Sequence, residues 1–298
     1  MKHKTITKWV KLLSEKIEAV IFDWAGTTVD YGCLAPMNVF VEIFKEREIV
    51  VTSEEVRGPM GMNKWDHIYE LCQLHSVKTQ WRAKYDKYPG KEDIDELYLR
   101  FEPILLSNLR SFAKPIEGII DVVDKLRKQG IKIGSTSGYT KEMLDIVAEE
   151  AAEHGYKPDI RITSETVGKG RPFPYMCYEN AIQLDINGMQ KMIKVGDTVS
   201  DIQEGIQAGM WSVGVILGSS LHGFSEREIN YMNQTDLFMS MEAARTKFYQ
   251  AGAHFVINSI KELPESIERL NDLLQQGVYP HEYTKRREMG QWETSIIQ

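Results

Sequence analysis

The sequence predicts an α/β protein: a Rossmann-like core of parallel strands with an all-helical domain inserted into it. Two observations carry this expectation. Short apolar runs rich in β-branched residues alternate with amphipathic segments, the pattern of right-handed βαβ units. One long stretch, from about Cys33 to Phe112, breaks the alternation and offers no convincing strand.

The first strand is the apolar run that ends on Asp23. Further strands are expected at 132–136, 192–196 and 211–217, with weaker candidates at 159–162 and 254–257. Ile119, Val122, Val123 and Leu126 fall at i, i+3, i+4 and i+7, one face of a helix. The stretches after Thr140 and Ser200 are also expected to be helical. In the insertion, Met37, Phe40, Val41 and Phe44 line one helix. Thr52-x-x-Glu55 and Asp93-x-x-Glu96 read as capping boxes for two more. Ile94, Leu97, Phe101 and Leu105 continue a face that Pro103 should kink or interrupt. The expected division is therefore a core of 1–32 and 113–298 and a helical insertion of 33–112.

A chain of 298 residues suggests about two domains. With 42% apolar and 27% charged residues it has an ordinary globular composition. A net charge of −7 argues against nucleic acid or an anionic membrane as a general partner, so an anionic substrate needs a local positive site. Cys33, Cys72 and Cys177 are too few and scattered for a disulfide framework, which points to buried thiols in a reducing cytoplasm. No apolar run approaches membrane-spanning length. The lysine-rich leader up to Lys16 reads as an extra helical turn or two rather than a signal peptide.

Four loops carry chemistry. Asp23 sits where a parallel strand presents its carboxyl end to a ligand crevice, and Ala25-Gly26-Thr27 follows it. Ser137 and Gly138 follow the second strong strand; a hydroxyl and exposed N–H groups there suit a phosphate. After the third, Asp197 and Asp201 lie four residues apart. Carboxylates converging with Asp23 repel unless a cation lies between them, and an all-oxygen donor set favours Mg²⁺. Arg171, among glycines ahead of a Pro-started helix, can fork onto phosphoryl oxygens or brace the aspartates.

The fifth element lies in the insertion. Asn63 can cap a helix, which puts Lys64 in its first turn with His67 one turn on. The positive end of the helix dipole and the apolar Met60, Met62 and Trp65 should depress the lysine pKa, and a neutral amine is the nucleophile for imine formation with an aldehyde.

Asp23-Trp24-Ala25-Gly26-Thr27-Thr28, the Ser137 loop, Arg171 and the Asp197–Asp201 loop, in this order, resemble the haloacid dehalogenase superfamily. Most phosphatases of that superfamily have a second aspartate where this chain has Ala25. Together with Met60, Gly61, Lys64 and His67, the absence of that acid makes the chain similar to the phosphonoacetaldehyde hydrolase (phosphonatase) family over about residues 17–260. Arg171 stands where most of the superfamily has lysine, and Ser137 where threonine is usual.

The resemblance implies that the helical insertion is a cap domain. It implies that Asp23 attacks phosphorus and Lys64 forms a Schiff base. Mg²⁺ would be held by Asp23, Asp197 and the Ala25 carbonyl, with Asp201 in support. Ser137, Gly138 and Arg171 would hold phosphoryl oxygens, and Met60, His67, Cys33 and Tyr139 would surround the aldehyde and the lysine. A homodimer paired through the cap is implied as well. The alternatives are a Mg²⁺-dependent phosphatase or phosphomutase acting on a small ester, and a catalytically silent binding module. Ala25 argues against the first and the intact acid–lysine set against the second.

Overall fold

The structure, a computed structural model, describes residues 15–288. The leader before residue 15, expected to be helical, therefore lies outside the described residues. Six parallel strands form one sheet: β1 (Ala19–Phe22), β2 (Lys132–Ser137), β3 (Ile160–Thr163), β4 (Met192–Gly196), β5 (Trp211–Val215) and β6 (Phe255–Ile257). Their order is β3-β2-β1-β4-β5-β6. Strand order reverses between β1 and β4, and a ligand crevice opens at such a switch point. Phe22 pairs with Val195, so Asp23 and Asp197 leave the sheet side by side.

The strands form because their residues suit burial on both faces. Ala19, Val20, Ile21 and Phe22 are all fully buried, as are Ile193, Val195, Trp211 and Val213. Strand β5 ends at Val215, two residues short of the expected boundary, and Ile216 and Leu217 instead donate their N–H groups to Ile257 and Asn258. Both weaker strand candidates are present, as β3 and β6.

Residues 33–112, which follow β1, carry five helices: α1 (Leu34–Glu46), α2 (Ser53–Arg57), α3 (Lys64–Gln73), α4 (His75–Tyr85) and α5 (Lys91–Phe112). The Thr52–Glu55 box caps α2, with Glu55 N donating to Thr52 Oγ1 at 3.1 Å. The second expected box is displaced by one turn. Helix α5 begins at Lys91, and Asp93 accepts the Gly90 N–H at 2.8 Å from the third position of the helix rather than capping it. Pro103 does not interrupt α5, which runs on through it. The proline leaves the Leu99 carbonyl without its helical donor, but Leu99 is exposed. Leu97, Phe101, Leu105 and Leu109 are buried along the other face, and that packing holds the helix together.

The remaining helices cover the sheet. They are α6 (Ile119–Lys128), α7 (Lys141–Glu153), α8 (Ser164–Val167), α9 (Tyr175–Gln183), α10 (Val199–Gln207), α11 (Glu226–Tyr231), α12 (Gln234–Gln250), α13 (Leu263–Gln275) and α14 (Pro280–Glu288). Pro174 occupies the N-cap of α9 rather than its first turn. Thr198, not Ser200, caps α10, and Asp201 closes its capping box. No helix among the described residues is long and apolar enough to cross a membrane.

Candidate active site

Asp23 stands at the end of β1, where its N–H donates to Val195 O at 2.9 Å. Beside it are Asp197 and Asp201, and one carboxylate oxygen of each of the three lies within 4.8 Å of the others. All three residues are buried. Ser220 N donates to Asp197 Oδ2 at 2.8 Å, while Asp197 Oδ1 is buried without a hydrogen-bond partner. Burial, reinforced by Asp23 and Asp201, pushes the Asp197 carboxyl well above its usual range. Asp201 goes the other way: burial raises it, but the Arg171 and Lys194 cations outweigh burial and hold it below the ordinary value.

The local charge count decides what this cluster fits. Asp23, Asp197, Asp201 and Glu204 supply four buried carboxylates, and Arg171 and Lys194 two buried cations. With all four carboxylates ionised two negative charges are in excess, the repulsion that raises Asp197, and a divalent cation would balance them. The donors are all oxygen and one is orphaned, which matches Mg²⁺.

Arg171 occupies the centre of the network. Its Nη2 donates to Asp23 Oδ1 at 2.6 Å and to Thr136 O and Oγ1 at 2.9 and 2.8 Å. Nη1 pairs with Asp201 at 3.1 Å and reaches Gly61 O at 3.4 Å, and Nε donates to Glu204 Oε2 at 3.0 Å. All three nitrogens of the guanidinium are thus engaged with protein, so in this state the arginine braces the acids. Lys194, at 0% exposure inside β4, donates to Asp201 Oδ1 at 2.6 Å and lies 3.5 Å from Glu204.

The insertion closes over this floor and leaves a cavity of about 20 Å³, room for one or two waters. Asp23, Ala25, Cys33, Met60, Lys64, Ser137, Gly138, Tyr139, Arg171 and Asp197 all line it, with Gly61 and Thr198. Asn63 Oδ1 accepts the Asp66 N–H at 2.9 Å, and this cap starts α3 with Lys64 as its first residue. The ammonium position lies 5.1 Å from the centre of the Tyr139 ring and 5.9 Å from that of Phe40. Burial depresses the Lys64 pKa, against the opposing influence of Cys33 and Asp23.

Ser137 Oγ accepts the Tyr139 N–H at 3.1 Å, which leaves its own proton to give. At Gly138 the cap backbone comes so close that a β-carbon would lie 2.7 Å from Met62 O and 2.9 Å from Gly61 O. Glycine there is needed for the approach of the cap as much as for any anion. Burial raises both the Cys33 thiol and the Tyr139 hydroxyl well above their usual ranges, so both are neutral donors.

Two expected residues stand outside the cavity wall. Asp201 lies behind Arg171 and Lys194. His67 packs on the Phe40 ring at 3.8 Å, with Nε2 at 2.8 Å from Val56 O, which fixes its proton on that nitrogen. Burial, and Lys64 nearby, hold the imidazole far below its usual pKa, so it is neutral. Three functional groups were not singled out from sequence: Lys194, Glu204 and Asp30. Asp30 is buried, accepts the Leu34 and Ala35 N–H groups at 3.0 Å each, and is pushed up to about 7 by burial. The legible signal was Lys194, a cation in the middle of a buried strand, which requires buried acids as partners.

This arrangement is that of an aspartate-dependent hydrolase, and residues 17–209 match the family model for haloacid dehalogenase-like hydrolases. The sequence relatives are narrower. The chain is 54% identical over 253 residues to phosphonoacetaldehyde hydrolase of Bacillus cytotoxicus, covering 85% of this chain and 96% of that protein. It is 50% identical over 262 residues to a bifunctional phosphonoacetaldehyde hydrolase/aminoethylphosphonate transaminase of Clostridioides difficile, covering 88% of this chain but only 41% of that longer protein. The crystal structure of a phosphonoacetaldehyde hydrolase-like protein from Oleispira antarctica superposes with a TM-score of 0.87 at 36% identity, over 90% of this chain and 97% of that one. The chain belongs to the phosphonoacetaldehyde hydrolase family.

Proposed function

We propose that the protein hydrolyses the carbon–phosphorus bond of phosphonoacetaldehyde to acetaldehyde and phosphate. One observation carries the reading: a buried lysine of depressed pKa shares a cavity with Asp23, while position 25 is alanine. A phosphate ester leaves as an alkoxide and needs an acid to protonate it. A phosphonate carbon must instead leave as a carbanion equivalent, and an iminium next to it accepts the electron pair.

In this reading the neutral Lys64 amine adds to the aldehyde, and the adduct takes up one proton from solvent and expels water, giving the imine in its protonated form. Asp23 attacks phosphorus, the C–P electron pair flows into the iminium nitrogen, and an aspartyl phosphate and an enamine result. Protonation at carbon and hydrolysis release acetaldehyde and free Lys64. Water then cleaves the acyl phosphate and restores Asp23. Arg171 fixes the orientation of the Asp23 carboxylate through Oδ1. Ser137 donates to a phosphoryl oxygen, and Met60, Cys33 and Tyr139 enclose the aldehyde; His67 supports Lys64 through Phe40 and α2. Asp23, Asp197 and the Ala25 carbonyl would hold Mg²⁺, with Asp201 supporting, and the ion would supply charge neutralisation for an anion approaching a carboxylate.

The reading takes 33–112 as a cap on a core of 1–32 and 113–298, with cap closure excluding water. The cavity of about 20 Å³ is too small to admit substrate without reopening. Two copies pair through the cap, a reading supported by Val50 and Leu99, exposed apolar residues of that segment. A cytoplasmic setting is supported by three buried free cysteines.

The test is borohydride reduction during turnover with phosphonoacetaldehyde. An adduct on the Lys64 peptide with loss of activity is expected, and Lys64→Arg should abolish cleavage because a guanidinium stays protonated. Phosphate release from simple esters but not from the phosphonate would instead identify an ordinary phosphatase. Release from neither would identify a binding module.

A further inference from the structure

Lys64 follows a loop, 58–62, that is built on the end of α2 and is seated on the core at two points besides the Arg171–Gly61 O hydrogen bond. Met60 N donates to Arg57 O at 3.2 Å and Met62 N to Pro59 O at 3.3 Å, so the loop is a chain of tight turns leading to Asn63 and α3. At the first point Arg57 Nη2 crosses to the core and donates to Gly223 O at 2.5 Å. At the second, Ser200 Oγ donates to Met60 O at 3.1 Å. Neither side chain lines the cavity.

The core ends of these contacts share a property. Gly223 closes the loop that begins with Ser220, whose N–H holds Asp197. Ser200 lies between Thr198 and Asp201, which cap one another. The loop carrying Lys64 is therefore seated on the two segments that hold the acidic cluster. Gly223 has φ +75, and a β-carbon there would come within 2.6–2.8 Å of the Arg57 guanidinium, so the Arg57 contact requires glycine on the core side.

We propose that Arg57 and Ser200 are positioning residues that seat the Lys64 loop on the carboxylate-bearing loops, so that amine and nucleophile come into register only when both contacts are made. The proposal rests on the reading of Lys64 as the imine-forming residue. Its geometric part, the seating of the loop, is measurable without substrate.

The experiment uses the full chain with Mg²⁺ and two measurements on Arg57→Ala and Ser200→Ala. Hydrogen exchange of the amides in 58–68 should rise about three- to tenfold, the scale of one lost buried hydrogen bond, while α5 amides stay at the wild-type rate. Borohydride trapping at Lys64 should slow by a similar factor, and Arg57→Lys, which keeps a donor, should recover part of it. Unchanged exchange in 58–68, a rise spread equally over α5, or faster exchange with trapping unaffected would each overturn the proposal. Failure to trap wild-type Lys64 would defeat the functional reading instead, and the exchange comparison would still decide whether these residues seat the loop.

Discussion

Glu204 accepts the Nε–H of Arg171 at 3.0 Å, and both side chains are almost wholly buried. This pair uses a capacity that a lysine at position 171 would lack. An ammonium has one nitrogen, whereas the guanidinium fork meets Glu204 on one edge while holding Asp23 and Asp201 on the other. Lys194 closes the network from below, 3.5 Å from Glu204.

The first prediction follows from that network. Glu204→Ala strips the buried Arg171 Nε–H of its acceptor and Lys194 of one of its two carboxylate neighbours, and breaking a buried ion pair from one side costs roughly 3–5 kcal/mol. A urea titration should show the transition midpoint falling accordingly, with Glu204→Gln less affected because the amide oxygen still accepts from Arg171. A midpoint unchanged in Glu204→Ala would mean that the pair is energetically idle.

Metal removal gives a second prediction. Chelation should abolish phosphate release and Mg²⁺ should restore it, since with all four carboxylates ionised two buried negative charges are otherwise in excess. At free Mg²⁺ a hundredfold above its dissociation constant the fold should gain about 2.7 kcal/mol. Burial and the neighbouring acids raise the Asp197 carboxyl, so protons compete with the ion from a higher pH than for an ordinary aspartate. The thermal shift produced by Mg²⁺ should therefore shrink as pH falls. Full activity in the presence of chelator would contradict the assignment of the cluster.

What the sequence made legible was whatever local chain grammar determines. Asp23 and Asp197 end strands, and Asn63 caps the helix that carries Lys64, so their placement follows from neighbours a few residues away. Glu204 was invisible for the opposite reason. On α10 it reads as an ordinary polar helix position, and its partner is 33 residues distant in the chain. The box at α5 misled because Asp-x-x-Glu and Gly-x-x-Asp overlap there, and a glycine cap has no side chain to announce itself. Of the two outcomes expected at Pro103, interruption does not occur, because the apolar face of α5 is buried strongly enough to override one missing hydrogen bond.

Asp30 supplies a third prediction, one of pH and stability. Burial raises its carboxyl to about 7 from an ordinary 3.8, against the Ala35 and Leu34 N–H groups and Lys64. The folded chain therefore keeps a proton that the unfolded chain releases. Linkage then makes the Asp30 contribution complete at low pH and progressively lost as pH rises from about 4 to about 7. Asp30→Asn removes this dependence, so the stability of the variant relative to wild type should climb across that window, by no more than about 4 kcal/mol. Urea unfolding at several pH values measures the difference, and a flat difference would mean that Asp30 does not titrate there.

The last prediction tests the link between the missing acid and the lysine. Ala25 and Lys64 line one cavity of about 20 Å³, and Asp23 already acts on the lysine electrostatically. Ala25→Asp would restore the acid of an ordinary phosphatase and place a second carboxylate in that range. An opposite charge within about 4–6 Å favours the ammonium and should raise the lysine pKa by roughly 1–3 units. The fraction of reactive amine near neutral pH then falls by roughly 10- to 1,000-fold. The sign is fixed: Lys64 is depressed by burial, its reactivity grows as pH rises through its folded pKa, and the substitution moves that pKa upward. C–P cleavage by Ala25→Asp should therefore be weaker at neutral pH and should recover toward alkaline pH. Rate–pH profiles of the two proteins decide the matter. Superimposable profiles would show that the residues are not coupled, and the absence of acid at position 25 would then need another cause.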